Sequence, residues 1–125
     1  MNLNQVTIYS TNPTESIEFY KKLGLRLIVD SAPRYVRFEC PDGDSTFSIH
    51  ETNDESTCTK IVLYFECEKL DEEVKRLQAL GLIFESEPIT QDWLWREAYL
   101  KDPDGNKIIL FYGGENRKNP PWKIK

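Results

Sequence analysis

Hydrophobic positions recur along this chain with two periods, and the periods appear in the same order in each half. Ile17–Leu25 reads IEFYKKLGL and Val74–Leu82 reads VKRLQALGL. In both, apolar residues recur at three- and four-residue spacing, the stripe of an amphipathic helix. Ile17 falls on Val74, Tyr20 on Leu77, Leu23 on Leu80, Gly24 on Gly81 and Leu25 on Leu82, a constant offset of 57. Each glycine stops its helix, as a residue free to turn left-handed does. Asn12 or Thr14 is placed to cap the first helix, and Pro13 suits its first turn.

A strand pattern precedes each helix, at Val6–Tyr9 and at Ile61–Phe65. Side chains alternate across a strand, so Val6, Ile8, Leu63 and Phe65 should face the helices, with Gln5, Thr7, Val62 and Tyr64 on the other side. Three strand-like runs follow each helix: 26–29, 35–38 and 46–50 in the first half, 83–87, 95–101 and 107–112 in the second. The turn before the last strand also repeats, Pro41-Asp42-Gly43-Asp44 matching Pro103-Asp104-Gly105-Asn106, now at an offset of 62. The second half has therefore gained about five residues, which we place at Thr90–Leu94. The pattern predicts an α+β fold of two βαβββ repeats, about 3–52 and 59–112, in a single domain (1–125) with one pocket shared between the repeats and a tail at 113–125.

Composition narrows the function. The chain has 125 residues, with 39% hydrophobic and 30% charged residues, enough for one domain with its own core. No run approaches the roughly 20 apolar residues of a membrane span, and the start MNLNQVTIY lacks a secretory pattern. Cys40, Cys58 and Cys67 make no metal-site or disulfide framework and read as reduced thiols of a cytoplasmic protein. A net charge of −5 argues against a nucleic-acid partner and is compatible with a cationic ligand.

The duplicated units, the helix Ser16-Ile17-Glu18-Phe19-Tyr20 running to Leu23-Gly24-Leu25, and the turn Asp102-Pro103-Asp104-Gly105-Asn106 resemble the vicinal oxygen chelate superfamily over about 3–112. That group contains glyoxalase I, extradiol dioxygenases, fosfomycin-resistance enzymes and bleomycin-resistance proteins. The resemblance implies a U-shaped mixed sheet with helices on its convex side and a ligand on its concave face. It also implies, in the metal enzymes, up to four His, Glu or Gln ligands, one early in the first strand and one in the last strand of each unit.

Carried over position by position, that ligand set falls on Gln5, Ser48, Val62 and Ile109, with Ser48 preferred to Phe47 by alternation. Valine and isoleucine have no lone pair, and a neutral amide and a hydroxyl are poor partners for a divalent transition metal. The expectation is no metal and no cofactor. His50, the only histidine, lies two residues beyond Ser48 on the same side. It reads as a ligand contact, a general base, a displaced metal ligand joined by Gln5 and Glu66, or a strand-end residue without a special role.

The inserted run Gln91-Asp92-Trp93-Leu94-Trp95-Arg96-Glu97 adds aromatic surface and a cation. Trp93 with Tyr35, Tyr64 and Tyr99 would line an aromatic pocket, and Arg96 would grip a ligand carboxylate or phosphate. The structural alternative is that a tryptophan closes the core and Arg96 pairs with Glu97 or Asp102. Trp122 should pack back on the domain or onto a second subunit, and family members often form homodimers. The expected ligand contacts are thus Gln5, Tyr35, Ser48, His50, Tyr64, Trp93, Arg96 and Ile109, around a small organic molecule in a metal-free binding protein. The competing readings are a metal-dependent lyase of the glyoxalase I kind and a metal-free enzyme using His50, Arg96 and a tyrosine.

Overall fold

The computed structural model describes residues 2–124. The chain divides into two compact units, one running up to Lys60 and including Asp102–Gly105, the other comprising Ile61–Lys101 and the chain from Asn106 onward.

In the first unit, strand β1 (Gln5–Ser10) leads into helix α1 (Pro13–Leu23), followed by β2 (Arg26–Ser31), β3 (Tyr35–Glu39) and β4 (Thr46–Glu51). The sheet order is β1-β4-β3-β2, with β1 parallel to β4 and the other neighbours antiparallel. Asn12 is the cap of α1: its Oδ1 accepts from the Glu15 amide, and its Nδ2 donates to the Glu15 carboxylate at 2.9 Å. Gly24, at φ 115°, ends the helix. The helix buries Ile17, Phe19, Tyr20 and Leu23 against Ile8, Val36, Phe38, Phe47 and Ile49 of the sheet. Each large apolar side chain so buried is worth about 1.5–3 kcal/mol.

The second unit repeats this plan with β5 (Val62–Glu66), α2 (Leu70–Ala79), β6 (Ile89–Thr90), β7 (Arg96–Lys101) and β8 (Lys107–Tyr112), in the order β5-β8-β7-β6. Leu70, Val74 and Leu77 of α2 are buried, as are Ala98, Leu100, Ile108 and Leu110 of the sheet. Both units are therefore βαβββ, and the burial alternates as the strand patterns require: Ile8 is buried between exposed Thr7 and Tyr9, and Leu63 and Phe65 are half-buried between exposed Val62, Tyr64 and Glu66.

One expected strand is displaced. Residues 83–87 bend instead of extending, and Ile83 is 86% exposed. Within this stretch the Glu85 amide donates to the Tyr99 carbonyl of β7 at 2.8 Å. Regular pairing begins after Pro88, at Ile89 and Thr90 opposite Glu97 and Arg96. A proline contributes no ladder donor, which fits this short edge position. The inserted residues form the β6–β7 connection, closed by the Gln91 amide to the Trp95 carbonyl and carrying Leu94 at φ 70°. β7 consequently starts at Arg96 rather than at Trp95.

The two copies of the Pro-Asp-Gly turn have diverged in their surroundings. Residues 41–44 are exposed. Asp102 and Asp104 are instead held by the first unit: the Tyr20 hydroxyl donates to Asp102 at 2.5 Å, and Ser10 and Ser16 donate to Asp104 at 2.9 and 2.6 Å. Lys60 Nζ donates to the Asp104 carbonyl. Burial, reinforced by the Asp102 carboxylate, pushes the Tyr20 phenol far above its ordinary range. Cys40, Cys58 and Cys67 are thiols outside any disulfide, and no helix among the described residues is long and apolar enough to cross a membrane. Trp122 is 58% exposed, while the start of the tail is held by Glu66, which accepts from the Gly113 and Gly114 amides.

Candidate functional site

On the face of the first sheet opposite α1, alternation and register bring together side chains from three strands. Gln5 and Thr7 lie across from Thr46 and Ser48, and Ser48 lies across from Arg37. Ser48 is fully buried and sits at the centre. Gln5 Nε2 donates to its Oγ at 2.8 Å, and the Tyr35 hydroxyl shares a 2.8 Å hydrogen bond with it. Thr46 donates to Gln5 Oε1, which fixes the amide so that its N–H side faces Ser48. Arg37 Nε donates to the Tyr35 oxygen at 2.8 Å. These donors favour the charged phenolate, so Ser48 first, then Arg37, lowers the Tyr35 pKa from its ordinary value against the opposing effect of burial.

An aromatic ledge adjoins this cluster. The His50 ring lies edge-on to Tyr35 with centroids 4.8 Å apart, and Tyr9 packs on His50 at 5.7 Å. Four of the expected residues, Gln5, Tyr35, Ser48 and His50, are thus brought to one face of one sheet.

The corresponding face of the second unit has different chemistry. Val62 and Tyr64 lie across from Lys107 and Ile109, and Tyr99 lies across from Ile109. Tyr64 meets Trp95 and Phe111 edge-on at 6.0 and 5.6 Å, while Trp95 stacks on Phe111 at 4.5 Å. The Trp95 indole donates to the Asn116 carbonyl, which ties it to the chain after β8. Trp93 is 46% exposed and donates its indole N–H to Glu97 at 3.0 Å. Tyr99 donates to the other oxygen of Glu97, and Lys107 Nζ sits 4.6 Å over the Tyr99 ring. The bond to Glu97, with burial, pushes the Tyr99 phenol up to about 12.

Arg96 lies elsewhere. Its side chain is on the face of β7 shared by Ala98 and Leu100, and it forms a two-pronged ion pair with Asp71 of α2 at 2.8 and 3.1 Å. It also donates to Thr90. This pairing holds the Asp71 carboxyl below its usual range. The partner is neither Glu97 nor Asp102. The pair forms one wall of an open groove of about 340 Å³ lined by Glu68, Lys69, Leu70, Asp71, Glu72, Arg96 and Tyr112. The structure thus separates Arg96 from Tyr64, Ile109 and the Trp93–Glu97 pair.

From the sequence, Arg37 was not expected in the site and Glu97 was expected only as a partner of Arg96. Both were accessible from strand alternation, because each is two residues along a strand from a tyrosine of the site, Tyr35 and Tyr99, and so shares its face.

The four family ligand positions do not make a metal site. Gln5 uses both ends of its amide on Thr46 and Ser48, and Val62 and Ile109 offer only carbon. Among the described residues no three His, Cys, Asp or Glu side chains come together to hold a metal ion.

A mixed sheet of order 1-4-3-2, built twice from βαβββ units, defines a class of duplicated α+β proteins. The sequence profile of the Glyoxalase/Bleomycin resistance protein/Dioxygenase superfamily matches residues 2–110, and the chain belongs to that superfamily. No curated protein matches the chain. Among solved structures, a glyoxalase/bleomycin resistance protein/dioxygenase from Nocardioides is 22% identical, covering 100% of this chain and 90% of that one at a TM-score of 0.78. Lactoylglutathione lyase from Agrobacterium tumefaciens is 18% identical over 90% of this chain and 93% of its own, at 0.74. A bleomycin-binding protein complexed with bleomycin is 19% identical over 91% of this chain and 100% of its own, at 0.70. At these identities the similarity establishes the fold, on which unrelated chemistries are built.

Proposed function

We propose that this chain is a metal-free binding protein that holds a small organic molecule against aromatic and polar side chains. The observation that carries the reading is the state of the ligand positions: Gln5 is committed to Thr46 and Ser48, and Val62 and Ile109 have no donor atoms. Of these places Gln5 and Val62 are exposed, whereas Ser48 and Ile109 are buried. Tyr64 and Trp93 are about half exposed, and Tyr35 and His50 present ring surface beside polar atoms. Large aromatic groups with a few fixed polar partners are the usual composition of a small-molecule site. The bleomycin-binding relative, solved with its ligand, supports small-molecule binding as a use of this fold.

The test joins two measurements. Purified protein is assayed for nickel, zinc and manganese content and for turnover of the glutathione hemithioacetal, and is then screened against small organic molecules by thermal shift. The expected result is substoichiometric metal, no turnover and ligands that raise the melting temperature by mass action. Stoichiometric metal lost in Gln5→Ala, together with turnover, would overturn the reading in favour of a metal-dependent lyase. For a ligand found in this way, the tryptophan fluorescence response should disappear in Trp93→Ala, and an unchanged titration would remove Trp93 from the site. The exposed Trp122 supports the homodimer expected of the chain. Sedimentation of the protein and of Trp122→Ala should show a dimer that the substitution weakens.

A further inference from the structure

The cation expected to grip an anionic ligand was Arg96, and Arg96 is occupied by Asp71. Arg37 is differently placed. Its only hydrogen bond among the described residues leaves through Nε to Tyr35, and no carboxylate lies within ion-pair distance. The nearest acidic residue along its strand face, Glu39, is itself taken by Arg26 at 3.1 Å. Both terminal nitrogens of the Arg37 guanidinium are therefore uncommitted, and they are the edge that binds a carboxylate by two parallel hydrogen bonds.

The protons around Tyr35 point the same way. Thr46 donates to Gln5, Gln5 donates to Ser48, and Ser48 shares a hydrogen bond with the Tyr35 hydroxyl, whose oxygen also accepts from Arg37. When Ser48 supplies the proton of the bond they share, the Tyr35 oxygen accepts twice and its own O–H is left for an outside acceptor. A phenol made more acidic than usual is a stronger donor. Beside these donors lie the rings of Tyr35, His50 and Tyr9.

We infer that Arg37 and the Tyr35 hydroxyl form a docking point for the carboxylate of an aromatic acid, whose ring rests on the Tyr9–His50–Tyr35 ledge. The inference rests on the small-molecule reading above and names the ligand class that reading leaves open. The other unit provides the contrast: on β7 the place of Tyr35 is taken by Glu97 and that of Arg37 by Tyr99, so that face carries a carboxylate and no guanidinium.

The test compares matched pairs: benzoate, naphthalene-2-carboxylate and indole-3-acetate, each against its uncharged carboxamide. Binding is measured by calorimetry in resin-treated, metal-free buffer at low salt. At least one acid should bind about tenfold or more tightly than its amide, and Arg37→Met should abolish the difference while leaving the amide affinity in place. Arg37→Lys should keep part of the preference and Tyr35→Phe should reduce it severalfold, with circular dichroism confirming that each variant folds. Equal affinity for acid and amide would overturn the docking point while leaving small-molecule binding intact. A preference that survives in Arg37→Met and is lost in Arg96→Met would overturn it in favour of the second unit. No binding by any of the acids at millimolar concentration would overturn the aromatic-acid assignment, and the thermal-shift screen reports separately on whether the protein binds small molecules at all.

Discussion

Glu97 is 3% exposed, and its carboxylate is held between the Trp93 indole and the Tyr99 hydroxyl. A buried carboxylate deprived of a donor loses more than the value of one exposed hydrogen bond, so Tyr99→Phe should destabilise the protein by about 1–2 kcal/mol in urea unfolding. The same bond sets a pH dependence. Folded Tyr99 keeps its proton up to about pH 12, while an unfolded tyrosine releases it near ~10. The folded state therefore holds more protons across that interval, and stability is complete below it and falls as pH rises through it. In Tyr99→Phe this part of the alkaline loss should vanish, which urea titrations at pH 9 and pH 11 would show. Much of this chemistry was readable from strand parity. Ser48 and His50 were placed on the face of Gln5 by counting alternate residues, and hydrogen bonds join Ser48 to Gln5 and to Tyr35. Arg96 was misplaced because the inserted residues before it obscured where β7 begins. Counting back from Ala98 and Leu100, both buried beneath α2, places it on the helix side.

The two helices show how a repeated pattern diverges in detail at the level of elements. α1 is capped by Asn12, whereas α2 begins at Lys69, whose side chain makes no capping bond although its backbone, at φ −111° and ψ 65°, resembles that of Asn12 at −137° and 73°. Asn12→Ala should therefore cost about 1 kcal/mol in thermal or chemical unfolding, and Lys69→Asn should add a similar amount by supplying the missing acceptor. A Lys69→Asn protein no more stable than the parent would mean that the first-turn acids Asp71, Glu72 and Glu73 already satisfy that helix end. Helices and central strands were legible because periodicity and burial coincide in them. The strand beside β7 was not, since Ile83 and Phe84 carry an apolar signal on an irregular edge segment whose pairing begins only after Pro88.

For the whole molecule, the duplication carried most of the information that the sequence held. It located Val62 against Gln5 and Ile109 against Ser48, and the registers of the two sheets agree: Thr7 pairs with Ser48 as Tyr64 pairs with Ile109. What it could not convey is how the copies divide their labour. Polar donors gather on one sheet face and aromatic rings with a carboxylate on the other, because substitutions at equivalent positions are independent once a gene has been doubled. Added zinc or nickel should accordingly leave the melting temperature unchanged within about a degree, since no three His, Cys, Asp or Glu side chains come together among the described residues.

The turn Asp102–Gly105 is encoded in the second repeat and bonded by the first, through Tyr20, Ser10, Ser16 and Lys60. The counterparts of Ser16 and Tyr20 in the second repeat are Glu73 and Leu77, neither able to repeat those hydroxyl bonds. Cutting the chain between the repeats would therefore part this turn from the side chains that hold it. A polypeptide ending at Lys60 would leave the Tyr20 phenol without the Asp102 carboxylate it now meets, and the two halves would have to be supplied together to regain it.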